Sequence, residues 1–131
     1  MLLPRLKSDL LEICWAIANN RLADVPVEWH TEACAGVVIA SGGYPETYET
    51  GYPIAGLGSV DPDVFVFHGG TALGEDGEVV TAGGRVLTVV AMAPSLPEAR
   101  AKVYRNVQRL HFTRAYYRRD IAAPSQTART E

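Results

Sequence analysis

Three short apolar runs, each meeting a glycine pair, constrain this chain most. Cys34–Ala40 reads CAGVVIA and stops at Ser41, before Gly42-Gly43. Val64–His68 reads VFVFH and stops at Gly69-Gly70. Arg85–Met92 reads RVLTVVAM and starts after Ala82-Gly83-Gly84. Short β-branched and aromatic runs bounded by turn residues predict strands. Gly74-Glu75-Asp76-Gly77 predicts a hairpin loop between Thr71-Ala72-Leu73 and Val79-Val80-Thr81, with glycine where positive φ is cheap. The order predicts an antiparallel meander. Pro53–Gly56 reads as a short edge strand, since proline is confined to edges and strand starts. Tyr116–Ile121, YYRRDI, reads as a last short strand.

Two helices are predicted beside the sheet. Over Arg5–Leu22, the residues Leu6, Leu10, Ile13 and Ile17 recur at helical spacing, with Cys14 and Ala18 beside them. Ser95-x-x-Glu98 is a capping box with Pro97 in the first turn. Leu96, Ala99, Val103, Val107 and Leu110 then form one stripe, while Arg100, Lys102, Arg105 and Arg109 read as a solvated face. Residues 22–32 read as a polar connector carrying Trp29 and His30. The predicted class is α+β, a largely antiparallel sheet with packed helices. The small, polar residues 122–131 read as a disordered tail.

Composition narrows the function classes. Apolar residues make up 47% and charged residues 21% of the 131, as in a packed globular core. The formal net charge of −3 gives no general attraction to nucleic acid or to an anionic membrane. No apolar run approaches the roughly 18–20 residues of a membrane helix, so neither partner is expected and a cytoplasmic location is. Cys14 and Cys34 lack C-x-x-C spacing and read as buried free thiols. His30, His68 and His111 show no metal-ligand spacing.

Polar side chains cluster at the glycine pairs: Ser41-Gly42-Gly43-Tyr44, His68-Gly69-Gly70-Thr71, and Thr81-Ala82-Gly83-Gly84-Arg85. Each pair alone is more often a turn or a bulge. The alternative is a binding loop, where glycine lets backbone N–H groups approach a ligand. A hairpin turning at Glu75-Asp76 would set His68 roughly across from Gly83, close to Arg85. His68, Thr71 and Arg85 around exposed backbone would suit an anion, which an arginine fork grips in a bidentate way. On spacing alone, a surface arginine and a capped core histidine remain the commoner reading.

Five segments, LPRLKSDLLE, ASGGYPETYETG, VFHGGTAL, VVTAGGRVL and YYRRDI, resemble in the same order the C-terminal part of the phosphoribosylamine–glycine ligases (glycinamide ribonucleotide synthetases), over Leu2 to about Ala122. The resemblance implies an ATP-grasp ligase of purine biosynthesis that joins glycine to 5-phosphoribosylamine. ATP activates the glycine carboxylate as an acyl phosphate, which the amine then attacks. It also implies that the family's nucleotide-binding lysines and the residues that hold Mg2+ (or Mn2+) lie upstream of Leu-Pro-Arg. Residues 1–22 would then be the last helix of the ATP-grasp region and residues 23–121 the C-terminal α+β domain, and the isolated chain would bind no cofactor and be inactive. The implied substrate-binding residues are Gly42, Gly43, Tyr44, His68, Thr71, Gly84, Arg85 and Lys7, with Arg85 the candidate for the ribotide phosphate. No catalytic and no metal-binding residue is implied here.

The sequence departs from the family's usual pattern at several points. Glu46 stands for glycine, Gly69 for alanine, Ala82 for asparagine, and Thr88 and Ala122 for glycine. A free-standing, non-catalytic ligand-binding or regulatory module with the same fold is the competing reading. Self-association through the apolar first helix is a further expectation, since exposed apolar patches find partners.

Overall fold

In a computed structural model, residues 2–124 are described; of the predicted tail, residues 125–131 lie outside them. The three apolar runs become strands of one antiparallel sheet: β1 (Ala33–Ser41), β2 (Val64–His68) and β5 (Arg85–Ala93), with β6 (Ala115–Tyr116) as the fourth. The spatial order is β2-β5-β1-β6. The hairpin strands β3 (Thr71–Leu73) and β4 (Val79–Thr81) pair with each other in a separate two-stranded sheet. The predicted continuous meander is therefore broken. The glycine pairs interrupt both arms at one level, where the N–H groups of Gly69 and Gly70 both donate to the Val86 carbonyl. Pro53–Gly56 forms only single bridges, Pro53 to Val80 and Ala55 to His111.

Helix α2 (Leu96–Val107) starts on the predicted box: Ser95 Oγ accepts from Glu98 N–H, and the Glu98 carboxylate accepts from Ser95 N–H. It lays Ala99, Val103 and Val107 on the sheet face made by Val37, Ile39, Leu87 and Val89. The charged residues beside that stripe are not merely solvated, as the sequence predicts. Lys102 pairs with Asp63. Arg109 pairs with Asp61 at 2.6 Å and donates to the Ser59 carbonyl. Arg100 donates to the carbonyls of Ile121 and Arg119. These side chains tie flanking loops to the helix. They also explain why YYRRDI is a strand only at its start: the Tyr104 hydroxyl donates to the Arg118 carbonyl and accepts from Ile121 N–H, replacing sheet pairing there.

Helix α1 spans Leu10–Ala18, shorter than the predicted 5–22. Asp9 caps it, accepting from the N–H groups of Leu11 and Glu12. The residues before Asp9 are drawn into extended pairing instead, with Leu6 bridged to Trp29 and Lys7 N–H bonded to the Glu28 carbonyl. Only Ile13 and Ala16 of α1 are buried, while Leu10, Leu11, Trp15 and Ile17 are exposed. Cys14 is exposed too, against the predicted burial, because it lies off the narrow Ile13–Ala16 contact. Cys34 is partly buried, and both thiols are free.

The backbone decides which departures from the family pattern carry strain. Neither Ala82 nor Glu46 has a positive φ, whereas Ala122 sits at φ 54°. The left-handed region costs an L-residue about 1–2 kcal/mol, part of which glycine's larger unfolded-state entropy offsets. Ala122→Gly is expected to stabilise the chain by roughly 0.5–1 kcal/mol and raise Tm by a few degrees. Calorimetric unfolding measures this, and a lowered Tm would contradict it.

Candidate functional site at the end of the central strands

The loop after β1 and the turn before β5 interlock. Ser41 is buried; its N–H donates to the Gly84 carbonyl at 2.8 Å and its hydroxyl to the Gly83 carbonyl at 2.9 Å. Tyr44 N–H donates back to the Ser41 carbonyl, and the Tyr44 ring lies on Gly84, where a Cβ would overlap it. Gly43 has φ 100°, and a Cβ there would run into the Thr47 carbonyl. Close packing of loop on turn thus requires Gly43 and Gly84 whether or not a ligand is present. Tyr48 adds a tilted ring 5.9 Å from Tyr44.

Arg85 leaves this turn at the first position of β5. It pairs across β1 with Ala40, and Ala40 pairs on its other side with Tyr116. Cross-strand partners share a face, so Arg85, Ala40 and Tyr116 form one row. The next rows of that face are Phe67, Thr88, Val38 and then Phe65, Val90, Gly36. The register shift between Ile39 and Ala40 lets Val86 join the core and keeps Arg85 outside. This face is opposite to the one covered by α2. Leu2, Leu3 and Pro4 cross it, lining an open apolar depression with Phe67, Thr88 and Val90. Arg85 is exposed, and its guanidinium has no hydrogen-bond or ion-pair partner among the described residues.

The other sequence-derived residues fall elsewhere. His68 pairs with Leu87, not with Gly83, which puts it on the α2 side of the sheet. Its Nδ1 lies 3.0 Å from the Thr71 hydroxyl, so these two form a pair of their own. Gly70 and Gly83 do meet, joining that corner to the Arg85 turn. Lys7 is paired with Glu28 at 2.9 Å, on the N-terminal segment. The structure thus brings together Gly42, Gly43, Tyr44, Gly84 and Arg85. It sets His68 with Thr71, and leaves Lys7 apart.

The family model for the C domain of phosphoribosylglycinamide synthetase matches residues 34–124. The chain belongs to that family. Phosphoribosylamine–glycine ligase of Caldanaerobacter subterraneus is 43% identical over 93% of this chain, which covers 29% of that relative. The Allochromatium vinosum ligase is 45% identical over 92% of the chain and 28% of its own length. The crystal structure of the Thermotoga maritima ligase superposes with a TM-score of 0.59 at 34% identity, covering 73% of this chain and 23% of that one. The C domain as found here therefore spans less than a third of the ligases it matches. The matched solved structure bears out the α+β class with its largely antiparallel sheet.

Among the described residues of this C domain, no group of three or more His, Cys, Asp or Glu side chains is placed to hold a metal ion. No described helix is long and apolar enough to cross a membrane. In the C-terminal segment, Arg118 grips Asp120 in a bidentate pair at 2.9 and 2.5 Å and holds its carboxyl down to about 2. Sequence reading missed two things. One is Tyr116, legible in the sequence only as part of a strand, whose register puts it in one row with Ala40 and Arg85. The other is Asn106, fully buried, whose spacing of three from Val103 and seven from Ala99 puts it on the stripe itself.

Proposed function

We propose that this chain is the part of an ATP-dependent phosphoribosylamine–glycine ligase that faces 5-phosphoribosylamine, and that it is inert alone. Arg85 holds the ribotide phosphate. Gly42, Gly43, Tyr44 and Gly84 form the wall that fixes its turn. His68 and Thr71 stand at the adjoining corner, and Lys7 on the N-terminal segment is released from Glu28 if it takes part. ATP and Mg2+ (or Mn2+) act on upstream ATP-grasp domains. The described residues supply no ligand set for the metal, and no step of the reaction runs through it here. Residues 1–22 belong with the ATP-grasp region, 23–121 form the C domain and 122–131 its tail, in a cytoplasmic enzyme.

One observation carries the reading. The unpartnered Arg85 lies on the same sheet face that Leu2–Pro4 cross, so it faces the side from which an upstream domain arrives. Ala40 lies two residues, roughly 7 Å, beyond Val38 in the row next to that crossing. A free-standing module is the other reading. With neither Ala82 nor Glu46 at positive φ, those substitutions lend it no support. An in-frame ATP-grasp sequence upstream separates the two.

The isolated chain is expected to show no ligase turnover and no heat of ATP binding by calorimetry. Micromolar ATP affinity would overturn the fragment reading. The exposed strip of Leu10, Leu11, Trp15 and Ile17 makes self-association of the same sample the expected light-scattering result at high concentration, and a strict monomer would argue against it.

A further inference from the structure

We propose that Tyr116 is a second ligand-contact residue of this site, taking the ribose of the phosphosugar whose phosphate Arg85 holds. The inference rests on the reading of Arg85 above and adds a residue that the sequence did not single out. Tyr116 and Arg85 are the two long side chains of one row, separated only by the methyl group of Ala40. Neighbouring strands lie about 4.8 Å apart, so the two backbones are roughly 10 Å from each other. Two long side chains on one face at that separation suit a phosphate and the ring one ester bond away from it.

The neighbouring tyrosines show that this display is particular to Tyr116. Tyr117 packs on the core, its ring 6.4 Å from that of Tyr104. The Tyr104 hydroxyl has two backbone partners. Tyr116 is 61% exposed, and its hydroxyl has no partner among the described residues. It also opens a concavity of about 650 Å³ with Tyr117, Arg118, Arg119 and Asp120. Within that wall the Arg118 guanidinium is occupied by Asp120, while Tyr116 and Arg119 are exposed. An aromatic face stacks on the apolar C–H side of a sugar ring, and a phenol hydroxyl exchanges hydrogen bonds with its hydroxyls.

The test titrates the 131-residue chain with ribose 5-phosphate and, separately, with inorganic phosphate, following backbone amides by NMR. Ribose 5-phosphate is expected to shift the amides around Arg85 and Tyr116, and phosphate only those around Arg85. Tyr116→Ala is expected to weaken ribose 5-phosphate binding at least fivefold and leave phosphate binding unchanged. Tyr116→Phe, which keeps the ring and the packing, is expected to lose less. Arg85→Ala is expected to weaken both ligands about equally. Two outcomes overturn the role of Tyr116 alone: Arg85→Ala weakens both ligands while Tyr116→Ala changes neither, or Tyr116→Ala weakens both. If Arg85→Ala changes neither, or if neither ligand shifts any amide near the row, the reading of Arg85 falls and takes this inference with it.

Discussion

Replacing Asn106 with leucine is expected to lower the stability of the chain by about 1–3 kcal/mol, the cost of leaving a backbone N–H without its acceptor. Asn106 is fully buried on the apolar stripe of α2. Its Oδ1 accepts from Asp61 N–H at 2.8 Å and from Arg109 at 3.3 Å. Its Nδ2 donates to the Asp61 carboxylate and to the Lys102 carbonyl, both at 3.0 Å. Leucine has the same branched outline but bulkier methyl ends, so no cavity opens and any crowding in this fully buried position adds to the loss. The loss comes chiefly from the Asp61 N–H, which is left without its acceptor, while the partly exposed Asp61 carboxylate keeps Arg109. For a chain of this length the expected fall in Tm is on the order of 10 °C. A pH series adds a second readout. Hydrogen bonds from Asn106 first, then from Arg109, hold the Asp61 carboxyl below the ordinary carboxylate range. A carboxyl lowered in the folded state contributes stability that is complete above its unfolded pKa and is lost as pH falls through the folded one. The Tm gap between parent and Asn106→Leu should therefore narrow on going from neutral pH to below the carboxylate range. Thermal unfolding at several pH values measures both effects. An unchanged Tm, or a gap that does not vary with pH, would contradict this account of the network.

Much of the fold is legible in the residues because local signals agree with the tertiary outcome. The runs at Ala33–Ser41, Val64–His68 and Arg85–Ala93 are β-branched and bounded by glycine, and each becomes a strand. Ser95 and Glu98 fix the start of α2 by their own hydrogen bonds. Legibility fails where distant groups compete. The periodicity before Asp9 is helical, but Glu28 and Trp29 offer that backbone an extended partner, and no local pattern reports them. The register of the glycine turns is similar. Regular pairing with Leu87 keeps His68 on the α2 side of the sheet, while the register shift between Ile39 and Ala40 sends Arg85 to the other. A spacing argument cannot see which side a side chain takes, because a shift of one residue reverses it. The arginines and the lysine of α2 read as solvated because their partners, at Ser59, Asp61, Asp63, Arg119 and Ile121, are far away in sequence.

Arg85→Ala in the complete ligase carries the other large expected effect. The residue is exposed and unpartnered, so truncation strands no buried group and should leave stability within about 0.5 kcal/mol. A guanidinium on phosphate makes charge-assisted hydrogen bonds worth about 1.5–3 kcal/mol each. The phosphate lies away from the reacting amine, so its contact is nearly the same in ground and transition states and is felt as uniform binding. With about 1.4 kcal/mol to each factor of ten, KM for phosphoribosylamine should rise roughly tenfold to a hundredfold. Arg85→Lys should recover part of the loss, because an ammonium keeps the charge without the fork. The direct test is steady-state kinetics of the Arg85→Ala ligase with each substrate varied in turn, beside a melting curve. The account predicts a raised KM for phosphoribosylamine with kcat, the other two KM values and Tm nearly unchanged. An unchanged phosphoribosylamine KM, or a general fall in kcat with a lowered Tm, would contradict it.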